Sequence, residues 1–335
     1  MRRFDCGVPD HRHAGTNHRS LAGPLADANS RDYITHMTTP QRAKLWIGPS
    51  GWSYEDWYGI VYPLDRPKGF KPLKYLARYF NATEVNSSFY RIPTAHMTAA
   101  WPKLVPHDFR FAFKLTQIFT HERMEFPAPA EVRAFVDGVE PIRAAGLLGP
   151  LLIQFPWSFR YTPDAVDWLR RLAEVFPSFD RFIEVRHASW AQPEALADLR
   201  QFGGYCNIDQ PRLRDCLGPT QHVFGSSAYV RLHGRNAKNW FAEGQPAYER
   251  YNYLYKEDEL REWVTRLNAI REQAENVYVF ANNHYRGQGA VNALELWAML
   301  EGEPVEAPAE LAAAYPRLRG HTRPPREPGL FARDF

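Results

Sequence analysis

One seven-residue segment places three basic side chains at alternating positions. The segment Tyr229-Val230-Arg231-Leu232-His233-Gly234-Arg235 has the composition of a β-strand with apolar residues between the basic ones. Because successive side chains of a strand point to opposite faces, Arg231, His233 and Arg235 are expected on one face. Unpaired cations are costly to bury, so the pattern predicts an anion-binding wall of a site. A solvated face or a structural ion-pair cluster is the alternative interpretation.

Polar residues also follow the other apolar segments that read as strands. If these strands are parallel in a barrel, their carboxyl ends meet on one face, which is where barrel sites are built. Aromatic residues just past the strand ends add rings that can stack on a base or a sugar. The predicted ligand-binding residues are Trp52, Glu84, Asn86, Lys114, Arg186, His187, Arg231, Arg235, Asn282 and Asn283.

The types of these residues predict recognition of phosphate. A guanidinium group has a planar fork that binds two phosphate oxygens, so Arg186, Arg231 and Arg235 are expected to hold the anion. Lys114 would assist as a mobile point charge. The expected partner is therefore a phosphate-bearing small molecule or a nucleic acid.

Four further residues are candidates for catalysis. Glu184 and Asp209 would orient the cations or act as a base, since carboxylates accept protons when suitably placed. His121 or His233 is expected to transfer protons, because imidazole titrates near neutral pH. If the protein is an enzyme, the predicted reaction is hydrolysis or isomerisation of a phosphorylated compound. A binding or regulatory module without turnover stays open as the alternative.

A divalent metal is a further alternative. Seven His, Asp and Glu residues near the strand ends offer enough ligands, but no HxH, HExxH or CxxC spacing brings two of them together. A glycosidase that uses Glu84 and Glu184 as its two carboxylates is disfavoured, because the neighbouring cations would lower the pKa that a general acid needs. The candidate metal ligands are Glu84, His121, Glu184, His187, Asp209, His233 and His284.

Eight strand-like segments alternate with helical periods and would position these side chains. Their number and the length of about 260 residues predict a single-domain α/β fold, a TIM-like (β/α)8 barrel. A doubly wound open sheet is the alternative fold. It is disfavoured because no GxGxxG or GxxxxGK[ST] motif follows an early strand. The predicted strands are 45–48, 82–87, 109–116, 150–155, 181–186, 204–208, 228–233 and 276–281.

The two ends of the chain differ from this central part. Residues 1–44 are expected to form a disordered leader, with Met37 as an alternative start, and residues 303–335 a Pro/Arg-rich tail. Basic and acidic side chains are nearly balanced over 45–302, which excludes a nucleic-acid binder that relies on overall charge. No apolar run is long enough for a membrane span, and three scattered cysteines fit a reducing, cytoplasmic compartment.

Several blocks of sequence resemble the YecE-like family, also called domain of unknown function 72. They occur in the family's order and cover about residues 45–302. The resemblance implies a TIM-barrel-like fold but no established reaction. The family is similar in architecture to abasic-site endonucleases and sugar isomerases. A metal-dependent phosphodiesterase activity is therefore suggested by analogy of fold alone. The blocks are 48–54, 84–91, Thr120-His121, 154–156, 184–190, 209–211, 229–235, Asn282-Asn283 and Asn292-Ala293.

Overall fold

The computed structural model describes residues 42–244 and 246–325. Eight parallel strands form one sheet in the order β1-β8-β7-β6-β5-β4-β3-β2. The first strand pairs with the last, and consecutive strands are neighbours except β1 and β2. The predicted barrel is confirmed. The strands are β1 (Lys44–Pro49), β2 (Ala82–Val85), β3 (Arg110–Lys114), β4 (Leu148–Gln154), β5 (Arg181–Glu184), β6 (Gly204–Asp209), β7 (Ser227–Leu232) and β8 (Asn276–Ala281).

Side chains complete the barrel between β1 and β2, which share only an isolated bridge between Ser50 and Glu84. Asn81 bonds to the β1 backbone twice: its Oδ1 accepts from an amide and its Nδ2 donates to a carbonyl, both at 2.8 Å. Gly48 lets the two strands approach, because a Cβ atom at this position would lie 1.9 Å from the carbonyl oxygen of Ala82. A larger residue would force the barrel open at this seam.

Helices cover the outside of the barrel. Proline occupies the first turn of four of them, where its missing N–H has no intrahelical partner to lose. Residues 210–226 connect β6 to β7 without a helix. The helices are α1 (Pro72–Leu76), α2 (Ser87–Tyr90), α3 (Ala95–Thr98), α4 (Pro129–Ala144), α5 (Pro163–Val175), α6 (Pro193–Phe202), α7 (Glu257–Arg271), α8 (Gln288–Glu301) and α9 (Ala309–Ala314).

Alternation along the strands separates two hydrophobic regions. One set of side chains, on strand faces that point into the barrel, forms a compact inner cluster, while the opposite faces pack beneath the helices. Ala112 belongs to the inner cluster and its neighbours Phe111 and Phe113 to an outer one. The inner cluster consists of Trp46, Ala82, Ala112, Leu152, Phe182, Cys206, Ile208, Tyr229, Tyr278 and Phe280.

The structure ends three predicted strands two residues early and organises part of the predicted tail. The strands predicted over 109–116 and 181–186 end at Lys114 and Glu184. The strand predicted over 82–87 ends at Val85, because the next residues start the short helix α2. Residues 303–325 contribute α9 and a two-stranded sheet, β9 (Val305–Glu306) with β10 (Thr322–Arg323). Buried Leu311 and Leu318 attach this segment to the outer core. Of the leader predicted over 1–44, residues 42–44 are described: Ala43 is buried and Lys44 begins β1. Residues 1–41 and the tail beyond 325 lie outside the described residues.

Candidate functional site

A cavity of about 530 Å³ opens at the carboxyl ends of the strands. Its walls come from the segments that follow β1, β2, β5 and β8, from the last residue of β3 and from the loop after β7. Volumes of this size suit a small-molecule ligand. The lining residues are Gly51, Trp52, Ser53, Tyr54, Asn86, Ser87, Tyr90, Lys114, Arg186, Tyr248, Tyr251, Asn282 and His284.

A buried ion-pair network lies in the barrel below this cavity. Arg231 donates from Nη1 to Glu184 Oε2 and from Nη2 to Glu84 Oε1, both at 2.6 Å. Glu84 also accepts from the Tyr229 hydroxyl at 2.7 Å and from the hydroxyl of Ser50. These groups are 1% exposed or less, so the network is fully desolvated and depends on its own pairing.

Glu184 is the most connected member of the network. Arg186 donates to it from both Nε and Nη2 at 2.8 Å, in addition to the contact with Arg231. Burial alone would raise the pKa of Glu184, but Arg231 and the other basic neighbours hold it well below its ordinary value. The carboxylate therefore stays charged and cannot act as a general acid near neutral pH.

His233 joins the network as a neutral ring. Its Nε2 lies 3.1 Å from Glu184 Oε1, and its Nδ1 lies 3.0 Å from Nδ2 of Asn282. A neutral tautomer with the proton on Nε2 satisfies both contacts, since the Asn282 amide can then donate to Nδ1. Burial lowers the pKa of His233 to about 4, which agrees with this arrangement.

Lys114 is the cation that differs from the others. It ends β3 on the same face as Ala112, so it points toward the barrel axis and lines the cavity. Its Nζ lies 3.6 Å from the centre of the Phe89 ring, and within the described part of the chain no carboxylate forms an ion pair with it. Burial lowers its pKa to about 7, and among the nearby charges Arg231 lowers it more than Glu184 raises it.

The three basic residues of the opening segment do not share one face. Arg231 and His233 point inward, but β7 ends at Leu232 and Gly234 adopts a left-handed conformation with φ of +87°. The chain turns there, and Arg235 reaches Asp209 at 3.0 Å and two glutamates of α7. The expectation of a three-cation wall is therefore wrong, and the ion-pair alternative describes Arg231 and Arg235.

Asp209 lies on the opposite side of the sheet from Glu184. Its neighbour Ile208 points into the barrel, so Asp209 faces α7, where it accepts from Arg235 and, at 2.8 Å, from Trp263 Nε1. Burial raises its pKa despite the nearby Arg235. This placement separates Asp209 from the cavity, contrary to the expectation that it joins Glu184 there.

Three other predicted residues do not line the cavity. His187 accepts from the backbone N–H of Ser189 at 3.0 Å and caps a turn. His121 makes a T-shaped contact with Phe89, with ring centres 4.8 Å apart, and burial together with the charge of Lys114 lowers its pKa to about 4. Asn283 donates to Asn292 Oδ1 at 2.9 Å and holds α8 in place. Of the predicted set, Trp52, Asn86, Lys114, Arg186 and Asn282 line the cavity.

Several aromatic residues that line the cavity are not among the predicted ligand-binding residues. Tyr54 stacks on His284, with ring centres 4.4 Å apart and planes 2° apart. Tyr90 is 71% exposed at the rim, and Tyr248 and Tyr251 line the side formed by the loop after β7. The only sequence signal for the last two is the density of tyrosine over residues 248–255.

The candidate metal ligands are not brought together. Among the described residues, no three His, Cys, Asp or Glu side chains are arranged to hold a metal ion. Glu84 and Glu184 are bound to Arg231, while Asp209 is on the other side of the sheet. Nor is any helix within residues 42–325 long and apolar enough to cross a membrane.

The fold and the cavity define a single-domain (β/α)8-barrel protein whose candidate site lies at the carboxyl ends of its strands. A family model described as "Protein of unknown function DUF72" matches residues 46–316, and the chain belongs to this family. The YecE-like resemblance is thereby confirmed.

Relatives of known sequence and structure agree with this assignment. The chain is similar to the UPF0759 protein YunF of Bacillus subtilis, with 29% identity over 273 residues, 77% of this chain and 95% of that protein. It is 27% identical to the UPF0759 protein YecE of Escherichia coli K12 over 144 residues, 43% of this chain and 48% of YecE. The crystal structure of a DUF72 family protein from Thermotoga maritima superimposes with a TM-score of 0.68 and 33% identity, covering 77% of this chain and 99% of that one.

Proposed function

We propose that this protein binds a small phosphate-bearing molecule, such as a phosphosugar or a nucleotide, in the cavity at the barrel mouth. The excess of cations around the cavity floor is the observation that supports the proposal. Three cations, Lys114, Arg186 and Arg231, surround two carboxylates, Glu84 and Glu184. An anion beside Lys114 and Arg186 would supply the missing negative charge, and both residues line the cavity.

This proposal assigns the arginines different roles from those the sequence suggested. Arg186 contacts the phosphate from the cavity wall, and the charge of Lys114 assists from the same cavity. Arg231 lies beneath them with 1% exposure and donates hydrogen bonds to both carboxylates. Arg235 binds Asp209 and α7 and therefore stabilises the barrel rather than the ligand.

The aromatic walls suit a ligand with a ring. Tyr54 and His284 already stack on each other, and Tyr90, Tyr248 and Tyr251 stand around the opening. Such rings contact the face of a base or a sugar while water is excluded. The size of the cavity and the balanced charge over 45–302 favour a small molecule over a nucleic-acid strand, which needs a basic track for its backbone.

We propose no metal-dependent phosphodiesterase step, because the described residues offer no ligand set for an ion. Lys114 is the group best suited to proton transfer, since its pKa of about 7 lets both forms be populated at neutral pH. The protein is an enzyme if it converts the bound ligand to a product, and a regulatory module if it only binds the ligand. The cytoplasm stays the proposed location on the basis of cysteine usage.

Calorimetric titration with matched pairs of ligands tests the proposal. A phosphosugar and a nucleotide should bind, and the corresponding sugar and nucleoside should bind at least about tenfold more weakly because the charge-assisted contacts are lost. The Lys114→Met variant should lose this preference, while Lys103→Met, which changes an exposed lysine, should retain it. Binding of oligonucleotides but not of mononucleotides would favour the nucleic-acid alternative. Equal binding of phosphorylated and unphosphorylated partners would refute the proposal.

A further inference from the structure

Lys114 has the surroundings of a nucleophilic amine. It is 8% exposed and lines the cavity, and its Nζ rests against the face of Phe89. The two carboxylates that could stabilise its charged form are occupied by Arg231 and Arg186. An amine that is desolvated beside other cations and lacks an ion-pair partner loses its proton readily, which is how lysine becomes a nucleophile at neutral pH.

Two acceptors in the cavity wall indicate what else the ligand carries. Oδ1 of Asn86 and Oδ1 of Asn282 are buried, and neither has a hydrogen-bond partner among the residues that the structure describes. A buried acceptor without a donor is costly, so each amide is expected to turn its oxygen toward a ligand that fills the cavity and to accept a hydrogen bond from it. Hydroxyl groups are suitable donors for these two oxygens, and a polyhydroxylated ligand offers several of them.

We propose that Lys114 forms a Schiff base with the carbonyl carbon of a phosphorylated hydroxy-aldehyde or hydroxy-ketone bound in the cavity. This inference rests on the proposed function, because Arg186 must hold the phosphate for the carbonyl group to reach the amine. The hydroxyl groups of the same ligand would donate to Asn86 and Asn282.

The reaction balances without any oxidant or metal. The lone pair of Nζ attacks the carbonyl carbon, a C–N bond forms, and the carbonyl oxygen is protonated to give a carbinolamine. The C–O bond then breaks, and the oxygen leaves as water with the two hydrogens that the neutral amine has lost. The product is an imine on Lys114, and when it is protonated the bound phosphate balances its charge.

Reductive trapping tests the inference. The full chain is incubated at pH 7 with pyridoxal 5′-phosphate or with glyceraldehyde 3-phosphate and treated with sodium cyanoborohydride, and peptide mass spectrometry then locates the modified lysines. Because far more of a lysine with a pKa near 7 is neutral at this pH, Lys114 should be labelled on the order of tenfold faster than exposed lysines such as Lys103. Lys114→Met should abolish the fast labelling, and Lys103→Met should leave it unchanged.

A ligand without a carbonyl group separates the two proposals. Glycerol 3-phosphate should bind in calorimetry and slow the labelling of Lys114. If glycerol 3-phosphate binds but Lys114 is labelled no faster than the exposed lysines, the Schiff-base inference is wrong and the proposed function stands. If neither glycerol 3-phosphate nor the phosphorylated aldehydes bind, both are wrong. Equal labelling by pyridoxal and by pyridoxal 5′-phosphate would overturn the role of the phosphate and with it the proposed substrate class.

Discussion

The replacement of Lys114 by methionine should make the protein more stable at neutral pH. Methionine fills a similar volume without a charge, and no ion pair is broken because none of the described carboxylates binds the amine. The ordinary lysine pKa of 10.5 falls to about 7 in the folded protein. At about 1.4 kcal/mol per pH unit, burial of this ammonium group costs up to about 5 kcal/mol.

The sign of the pH dependence follows from proton linkage. Below pH 7 both the folded and the unfolded wild-type chains hold the proton, so the full cost of the buried charge is present. Between pH 7 and 10.5 the unfolded chain holds more protons than the folded one, and the wild type gains stability as the pH rises. The advantage of Lys114→Met over the wild type should therefore shrink by about 2 kcal/mol between pH 7 and pH 9.

Urea unfolding of the two proteins at both pH values measures this change. Comparison at equal pH cancels the titration of all other groups, and Lys103→Met shows what the loss of an exposed lysine does. The variant and the wild type should share one m-value, so that midpoints report stability alone. A stability difference that stays constant from pH 7 to pH 9 would show that Lys114 keeps its charge throughout, and the reasoning about its free amine would fail.

Two further substitutions test the barrel interior. Glu184→Gln removes one charge from the buried network and leaves Arg231 underpaired, so it should lower the free energy of unfolding by about 3–5 kcal/mol. The matched change Glu257→Gln, in an exposed pair on α7, should cost less than about 1 kcal/mol, and equal losses would contradict the network's importance. Gly48→Ala should cost more than about 3 kcal/mol or prevent folding, because its Cβ would overlap a β2 carbonyl. Gly320→Ala, where a Cβ meets no atom within 4 Å, should be nearly neutral, and urea unfolding measures all four variants.

Much of the fold could be predicted because its signals are local. Each barrel strand is a short apolar run with turn residues at both ends, and these runs alternate with helical periods. All eight strands lie where the sequence predicts them, within a few residues at each end. The error at 82–87 is also local: Asn86 follows the strand and Ser87 begins α2, but the sequence does not mark this change from strand to helix.

The location of the candidate site could also be predicted, but not the pairing within it. Because the strands are parallel, Lys114, Arg186 and Asn282 lie at the same end of the barrel, and this placement does not depend on how the side chains pack. Pairing of Glu84 or Glu184 with Arg186 or Arg231 is one possibility that the sequence allows. It could not be selected from the sequence, because Glu84 lies 147 positions from Arg231 and meets it only across the closed barrel. A single left-handed glycine after β7 then redirects Arg235, which breaks an alternation that seemed regular in the sequence.

The ion pairs inside the barrel determine which basic residue can react with a ligand. Had the carboxylates bound Lys114, its ammonium would be a stable ion-pair member and Arg231 would be the cation in excess. Instead the two guanidinium groups of Arg186 and Arg231 take both carboxylates, which suits them because a fork of donors satisfies two oxygens in a desolvated site. Arginine keeps its charge at any physiological pH, so this part of the mouth is electrostatically fixed. Lys114 then carries the variable charge of the cavity floor, and a bound anion and a proton on Lys114 must favour each other.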